Sequence, residues 1–172
     1  MGMDYRKYFA DKGCDYWYEY DSAYGWLNVK GKRIVIVGAD CGSSAIYFLL
    51  HGADYVIQYE KDEERRKRWD EVCRDFTAVC NKAEMHGEWN NEYPDADVFI
   101  MDCEGCESSL VGGTPTPPSP NNVEKLNKYA VWCVAVHQWT ENRVMLLRKL
   151  IPYGVTLRYV SDDGNEIMLC KS

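Results

Sequence analysis

Between residues 31 and 137, short runs of nearly unbroken apolar residues alternate with longer amphipathic stretches. The runs RIVIVG (33–38), DYVIQYE (54–60), FTAVC (76–80), DVFIMD (97–102) and VWCVAVH (131–137) predict strands. Residues 43–51, 62–74, 122–129 and 141–151 carry helical spacing. Strands apolar at almost every position suit a parallel sheet buried on both faces. Their alternation with helices predicts an α/β doubly wound sheet with helices on both faces. The alternation stops at the C-terminus, where VTLRYV and EIMLC flank the turn-rich SDDGN and predict an antiparallel β-hairpin.

Two segments stand outside this pattern. Residues 4–29 are dense in rings (Tyr5, Tyr8, Phe9, Tyr16, Trp17, Tyr18, Tyr20, Tyr24 and Trp26), with a short helix at their start. They read either as a cover packed on one end of the sheet or as a lid or partner surface, through which a homo-oligomer would form. The stretch GGTPTPPSPNN (112–122) holds four prolines, which forbid helix and central strand and predict a stiff surface connection. The expected organisation is a single domain over 1–172, an aromatic cover (1–30) followed by the α/β core (31–172).

Composition narrows the function classes. A formal net charge of −7 argues against an extended nucleic-acid surface. Arg65, Arg66, Lys67 and Arg68 lie among acids and read as a solvated helix face. No apolar run approaches a membrane span, and the N-terminus lacks a signal-peptide core, so a soluble cytoplasmic protein without membrane partners is expected. The eight cysteines include one C-x-x-C pair, Cys103 and Cys106, and the three histidines are far apart. That spacing argues against zinc, so no metal site is expected. Several cysteines fall inside apolar runs as small buried hydrophobes, and composition leaves their redox state open.

The stretch from 33 to 62 carries the first candidate chemistry. A strand ends at Gly38, a loop runs through Ala39 and Asp40 to Gly42, and a helix begins near Ser43. Such a turn gathers backbone N–H groups and a helix N-terminus, which favour an electronegative ligand group. Either Ser43 or Ser44 would cap the helix. Glu60 closes the next strand, where an acid accepts hydrogen bonds from ribose hydroxyls in nucleotide-binding sheets. The glycine spacing is G-x-x-x-G, not the G-x-G-x-x-G of dinucleotide folds.

The order of elements and the closing hairpin resemble a class I S-adenosylmethionine-dependent methyltransferase. Within that group, ADVFIMDCEGCESSLVGG resembles the D-x-E-G-x-E segment of FkbM-type methyltransferases, with Asp102, Glu104, Gly105 and Glu107 at the matching positions. His137 matches the histidine that this family tends to carry at the end of the next strand. The resemblance implies a Rossmann-like, seven-stranded, mostly parallel sheet and S-adenosylmethionine as cofactor. Gly38, Ala39, Asp40, Gly42, Ser43, Glu60, Lys61 and Asp102 would contact that cofactor. The region 80–89 after the third strand would cover the adenine, with Ala83, Glu84 and Met85 as candidates. Such enzymes usually place an acid two positions before the first glycine, to hold the methionine part; here that position is Ile36. Where the family's turn often carries Asn, this chain has Asp40, which is the candidate substitute carboxylate.

Methyl transfer needs in-line positioning, and a base to take a proton from a hydroxyl or amine acceptor. Asp102 and Glu104 would project to one side if the strand continues, so they and His137 are the candidate catalytic residues. Glu104 and Glu107 also read as simple caps of the following turn. The expected function is S-adenosylmethionine-dependent methylation, of oxygen on a small or carbohydrate-like acceptor. The main rival is a catalytically degenerate methyltransferase fold that binds a nucleoside or a partner. A nicotinamide-dependent oxidoreductase would also use Glu60 but explains neither the glycine spacing nor the hairpin.

Overall fold

A computed structural model describes residues 2–112 and 122–172. Seven strands form one sheet in the order β3-β2-β1-β4-β5-β7-β6. The chain divides into two compact units, Met1–Asn90 and Asn91–Ser172.

In the first unit, α1 (Tyr5–Asp11) and α2 (Tyr20–Tyr24) precede β1 (Arg33–Val37), α3 (Ser43–Leu50), β2 (Tyr55–Tyr59), α4 (Glu63–Asp75), α5 (Thr77–Cys80) and β3 (Ala83–His86). β1, β2 and β3 pair in parallel, with Ile36 opposite Gln58 and Gln58 opposite Met85. Ile34, Val35, Ile36 and Val37 are all buried, as expected of a strand covered on both faces. α4 starts where Asp62 accepts hydrogen bonds from the Glu64 and Arg65 amides.

The run FTAVC, expected as a strand, is instead the short helix α5. Phe76 donates its amide to the Val72 carbonyl and Cys73 is bonded to Cys80, so the chain folds back on α4 rather than extending. The third strand is AEMH. It is half-exposed and pairs on one side only, which is why no apolar run announces it. Ala83, Glu84 and Met85 therefore stand on this strand, not in a loop after it.

The aromatic cover is spent largely on internal packing. Phe9 stacks on Trp17 at 5.1 Å, Trp17 meets Tyr47 edge-on at 5.6 Å, and Tyr24 meets Phe48 at 5.0 Å, so the rings lie on α3. Tyr16 and Tyr18 remain exposed. The basic run on α4 is wired inward more than expected of a solvated face. Arg66 donates to the Glu60 and Lys61 carbonyls, Arg68 to the Lys12 carbonyl, and Arg65 faces Asp40. Lys67 alone of the four meets only the exposed Glu63 and Glu64 of its own helix among these ion pairs.

The second unit holds β4 (Val98–Met101), β5 (Val131–His137), α6 (Arg143–Leu150), β6 (Thr156–Val160) and β7 (Glu166–Lys171). β4 pairs in parallel with β5, while β7 is antiparallel to both β5 and β6. The C-terminal hairpin forms as expected, its turn fixed by Asp163, which accepts from the Ser161 hydroxyl and the Asn165 amide. The helix expected at 122–129 is a 3-10 turn over Asn122–Lys128. The expected 141–151 helix is shorter because Asn142 takes a left-handed φ of 58° at its start. Of the proline-rich stretch, residues 113–121 lie outside the described residues. Among the described residues, no helix is long and apolar enough to cross a membrane.

All eight cysteines are paired, as Cys14–Cys41, Cys73–Cys80, Cys103–Cys106 and Cys133–Cys170. They act as covalent links and not only as small apolar side chains. The C-x-x-C pair is one of them, so its sulfurs hold each other and not zinc.

Candidate functional site

In the first unit, the turn after β1 carries three of its residues at positive φ: Gly38, Asp40 and Gly42. Gly42 is required on two counts. Its φ is 89°, and a Cβ there would stand 2.1 Å from Cε3 of the buried Trp69. Gly42, not a serine, occupies the N-cap of α3. Ser43 is fully buried, and its hydroxyl lies 2.6 Å from that of Tyr20. Cys41 is tied to Cys14 of the aromatic cover.

Four amides of this turn have acceptors within the chain. Gly38 and Ala39 donate to the Tyr59 carbonyl, and Gly42 to the Ala39 carbonyl. Asp40 donates its amide to Glu60 Oε2 at 2.7 Å, and the other Glu60 oxygen accepts the Asp62 amide at 3.0 Å. Glu60 is buried at the carboxyl end of β2, facing the turn. Each of its oxygens accepts one amide here and has a second lone pair to offer. Asp40, the candidate substitute for a family acid, has its carboxylate 3.5 Å from Arg65. Lys61 is exposed, and its carbonyl is used by Arg66.

Ile36, two positions before Gly38, is buried. Its neighbour in the parallel register is Gln58, fully buried, with neither amide atom hydrogen-bonded to protein. Strand alternation puts Gln58 on the same face as Glu60, two residues on. Sequence inspection passes over Gln58 because one polar residue in an apolar run carries no motif.

In the second unit, β4 ends at Met101, and Glu104 adopts a φ of 55°. The strand does not continue, so Asp102 and Glu104 part. Glu104 is exposed, and its carbonyl accepts the Trp139 indole N–H at 3.1 Å. Asp102 instead lies 3.4 Å from His137 Nε2. Glu107, read from sequence as a possible cap, is completely buried and holds the other side of that ring. Its Oε1 accepts from His137 Nδ1 at 2.9 Å, from the His137 amide at 3.1 Å and from the Thr140 hydroxyl. Its Oε2 accepts from the Gly105 amide at 2.8 Å. Glu166, opposite His137 in the antiparallel register, brings Oε2 to 3.9 Å from Nε2. The Cys103–Cys106 disulfide closes the segment between Asp102 and Glu107.

Burial alone would push His137 towards the neutral form, but Asp102 and Glu107 overcome it and raise its pKa to about 10. Burial likewise works against the Glu107 carboxylate, and the hydrogen bonds from His137, Thr140 and backbone amides hold its pKa below the ordinary value. The carboxylates on either side of the ring favour its protonated form.

No protein-family model matches the chain. Among solved structures, magnesium protoporphyrin IX methyltransferase from Synechocystis PCC 6803 with bound S-adenosylmethionine superposes with a TM-score of 0.61 at 17 % identity, covering 98 % of this chain and 97 % of that one. Aeropyrum pernix fibrillarin, in complex with S-adenosyl-L-methionine, gives a TM-score of 0.56 at 16 % identity, over 84 % of this chain and 68 % of that one. The fold is thus the class I methyltransferase fold, a Rossmann-like sheet with an antiparallel C-terminal hairpin. Two viral proteins are far more similar in sequence. "Uncharacterized protein 65" of Sulfolobus islandicus filamentous virus is 56 % identical over 96 % of both chains. "Uncharacterized protein 158B" of Sulfolobus islandicus rod-shaped virus 1 is 48 % identical over 98 % of this chain and 99 % of its own. At those identities over nearly full length, the chain belongs to the family of these two viral proteins.

Proposed function

We propose that the chain is an S-adenosylmethionine-dependent methyltransferase acting on oxygen of a small or carbohydrate-like acceptor. The observation that carries this reading is Glu60, a buried carboxylate at the end of β2 turned towards the Gly38–Gly42 loop. Its remaining lone pairs suit the two hydroxyls of a ribose, so the residues present fit the nucleoside end of the cofactor. For the methionine end, the unpartnered amide of Gln58 offers a donor and an acceptor beside Ile36. When bound, S-adenosylmethionine supplies a methyl group activated on a sulfonium. Gly38, Ala39, Asp40 and Gly42 shape the loop that would hold it, with Glu60 on the ribose. The second unit offers Asp102, held by the His137 ring that Glu107 anchors, as a base that would take a proton from an acceptor hydroxyl. The D-x-E-G-x-E match and His137 support an FkbM-type relationship.

A specific observation favours one rival, a fold that binds the nucleoside without methyl transfer. Ile36 replaces the acid, and the turn's amides at 38, 39, 40 and 42 already have internal acceptors. Thermal-shift titration with S-adenosylmethionine, S-adenosylhomocysteine and NAD separates the readings. At 100 times Kd, a bound ligand stabilises by about 2.7 kcal/mol. Stabilisation by the two adenosyl ligands and not NAD is expected, and no shift with either overturns both readings. Transfer of labelled methyl to a hydroxyl-bearing acceptor panel then decides between enzyme and binder.

A further inference from the structure

His137 Nε2 is buried, and its nearest carboxylate oxygen, Asp102 Oδ1, lies at 3.4 Å, beyond an ordinary N–H···O hydrogen bond. Glu166 Oε2 lies at 3.9 Å. The three ligand-type atoms of Asp102, His137 and Glu166 stand within 4.8 Å of one another. Ligands about 2.1 Å from a metal stand about 3.0 Å apart at right angles and about 3.4 Å apart at the tetrahedral angle. The Asp102 spacing is therefore that of two groups sharing one ion, and Glu166 lies just beyond it.

The far side of the ring supports the same conclusion. Metal-ligating histidines almost always give their second N–H to a carboxylate, which fixes the tautomer and aims the other nitrogen at the metal. Glu107 does this for Nδ1 at 2.9 Å, from a fully buried position. Three carboxylates (Asp102, Glu107 and Glu166) surround one imidazole. The register pairs His137 with Glu166 across β5 and β7, so these two donors sit on strand ends, and Asp102 follows directly on the end of β4. Asp102 is the most exposed of the three, at 29 % of its side chain, and gives the ion an entry.

We propose that Asp102, His137 Nε2 and Glu166 bind one divalent transition-metal ion, with Glu107 orienting the histidine from behind. One imidazole with two carboxylates suits Mn²⁺, Fe²⁺ or Zn²⁺ over Mg²⁺ or Ca²⁺. Three protein ligands leave coordination positions for water or for oxygen atoms of a substrate. The ion and the Nε2 proton exclude each other, so binding releases a proton. The inference stands on the second unit alone and does not rest on methyl transfer.

The test is Mn²⁺ titration of the full chain after EDTA treatment, followed by electron paramagnetic resonance without S-adenosylmethionine in any sample. One saturable site per chain is expected, with Asp102→Asn and Glu166→Gln each weakening it by at least about tenfold while circular dichroism is unchanged. No saturable site in the parent chain overturns the proposal, as does parent-like binding by both variants. Should either variant not fold, pulsed measurement on the parent decides. Nitrogen coupling from one imidazole, retained in His86→Ala and His51→Ala, is expected; Mn²⁺ bound without nitrogen coupling overturns the assignment. A failed methyl-transfer assay leaves these readouts unaffected.

Discussion

Glu107 and His137, thirty positions apart, are joined through both the ring and the backbone: one carboxylate oxygen accepts from His137 Nδ1 at 2.9 Å and from its amide at 3.1 Å. The pair locks the end of β5 to the segment leaving β4. Replacing one partner strands the other charge in the interior, which costs about 3–5 kcal/mol. Glu107→Gln is therefore expected to lower the unfolding free energy by that order in urea titrations. A change within the fitting error would show that the buried carboxylate does not hold the histidine.

The same pair sets a pH dependence. His137 carries its proton more tightly folded than unfolded, with a pKa near 10 against an ordinary 6.5. Asp102 and Glu107 hold that proton against burial, and Glu166 faces the same ring at 3.9 Å. The stabilisation is fully present below about pH 6.5 and is lost as the pH rises through 10. Glu107, whose pKa is lowered, acts at the other end, its contribution disappearing as the solution is acidified. In EDTA-treated protein, stability is expected to fall between pH 7 and pH 10, by a few kcal/mol at most. His137→Gln should flatten that alkaline limb, and a parent-like slope in the variant contradicts the assignment.

Glu60 has a structural and a proposed binding role, and one substitution separates them. Glu60→Gln keeps one oxygen acceptor and turns an NH₂ towards either the Asp40 or the Asp62 amide, losing a charge-assisted hydrogen bond worth about 1.5–3 kcal/mol. A matching drop in stability is expected. Affinity for S-adenosylhomocysteine should fall by more than that fraction explains, when measured by calorimetry at a temperature where the variant is fully folded. Unchanged affinity removes the ribose role and leaves Glu60 as a tether for the turn.

The apolar strands β1, β2, β4 and β5 and the closing hairpin were legible because burial on both faces writes itself as continuous apolar runs. β3 was not, since an edge strand such as AEMH exposes Glu84 and His86, which pair with each other at 3.0 Å. The apolar run FTAVC misled because five residues cannot distinguish strand from helix by period. In the site, Asp102 and His137 came from a motif, and Glu60 from its place at a strand end. Glu166 had no signal, because its meeting with His137 depends on a register between β5 and β7 that only the folded sheet defines. Trp69 was equally silent: its packing against Gly42 is a contact across the first unit that no motif marks.

Cys14–Cys41 ties the aromatic cover to the turn before α3, whereas Cys73–Cys80 closes a much shorter loop between α4 and α5. A longer loop leaves the unfolded chain more freedom for the link to remove, about 3 kcal/mol for separations of this size and about 1 kcal/mol less for the short one. The double variant Cys14→Ser/Cys41→Ser is thus expected to melt roughly 10 °C lower than the parent chain in calorimetry. Cys73→Ser/Cys80→Ser should lose less.

Gln58 gives a prediction whose two halves have opposite signs. Its amide is buried in β2 with no protein partner, so in the folded chain it costs desolvation without return. Gln58→Leu removes that cost at similar volume, and a rise in stability of about 1–2 kcal/mol is expected in denaturant titration. If the amide is kept because it contacts the methionine end of the cofactor beside Ile36, the same variant binds S-adenosylhomocysteine at least about tenfold more weakly, the penalty of one lost polar contact in a buried site. A variant that is more stable and binds as tightly as the parent would make Gln58 a packing defect with no part in binding. One that is less stable would mean the amide has a buried partner, such as an ordered water, in the folded protein.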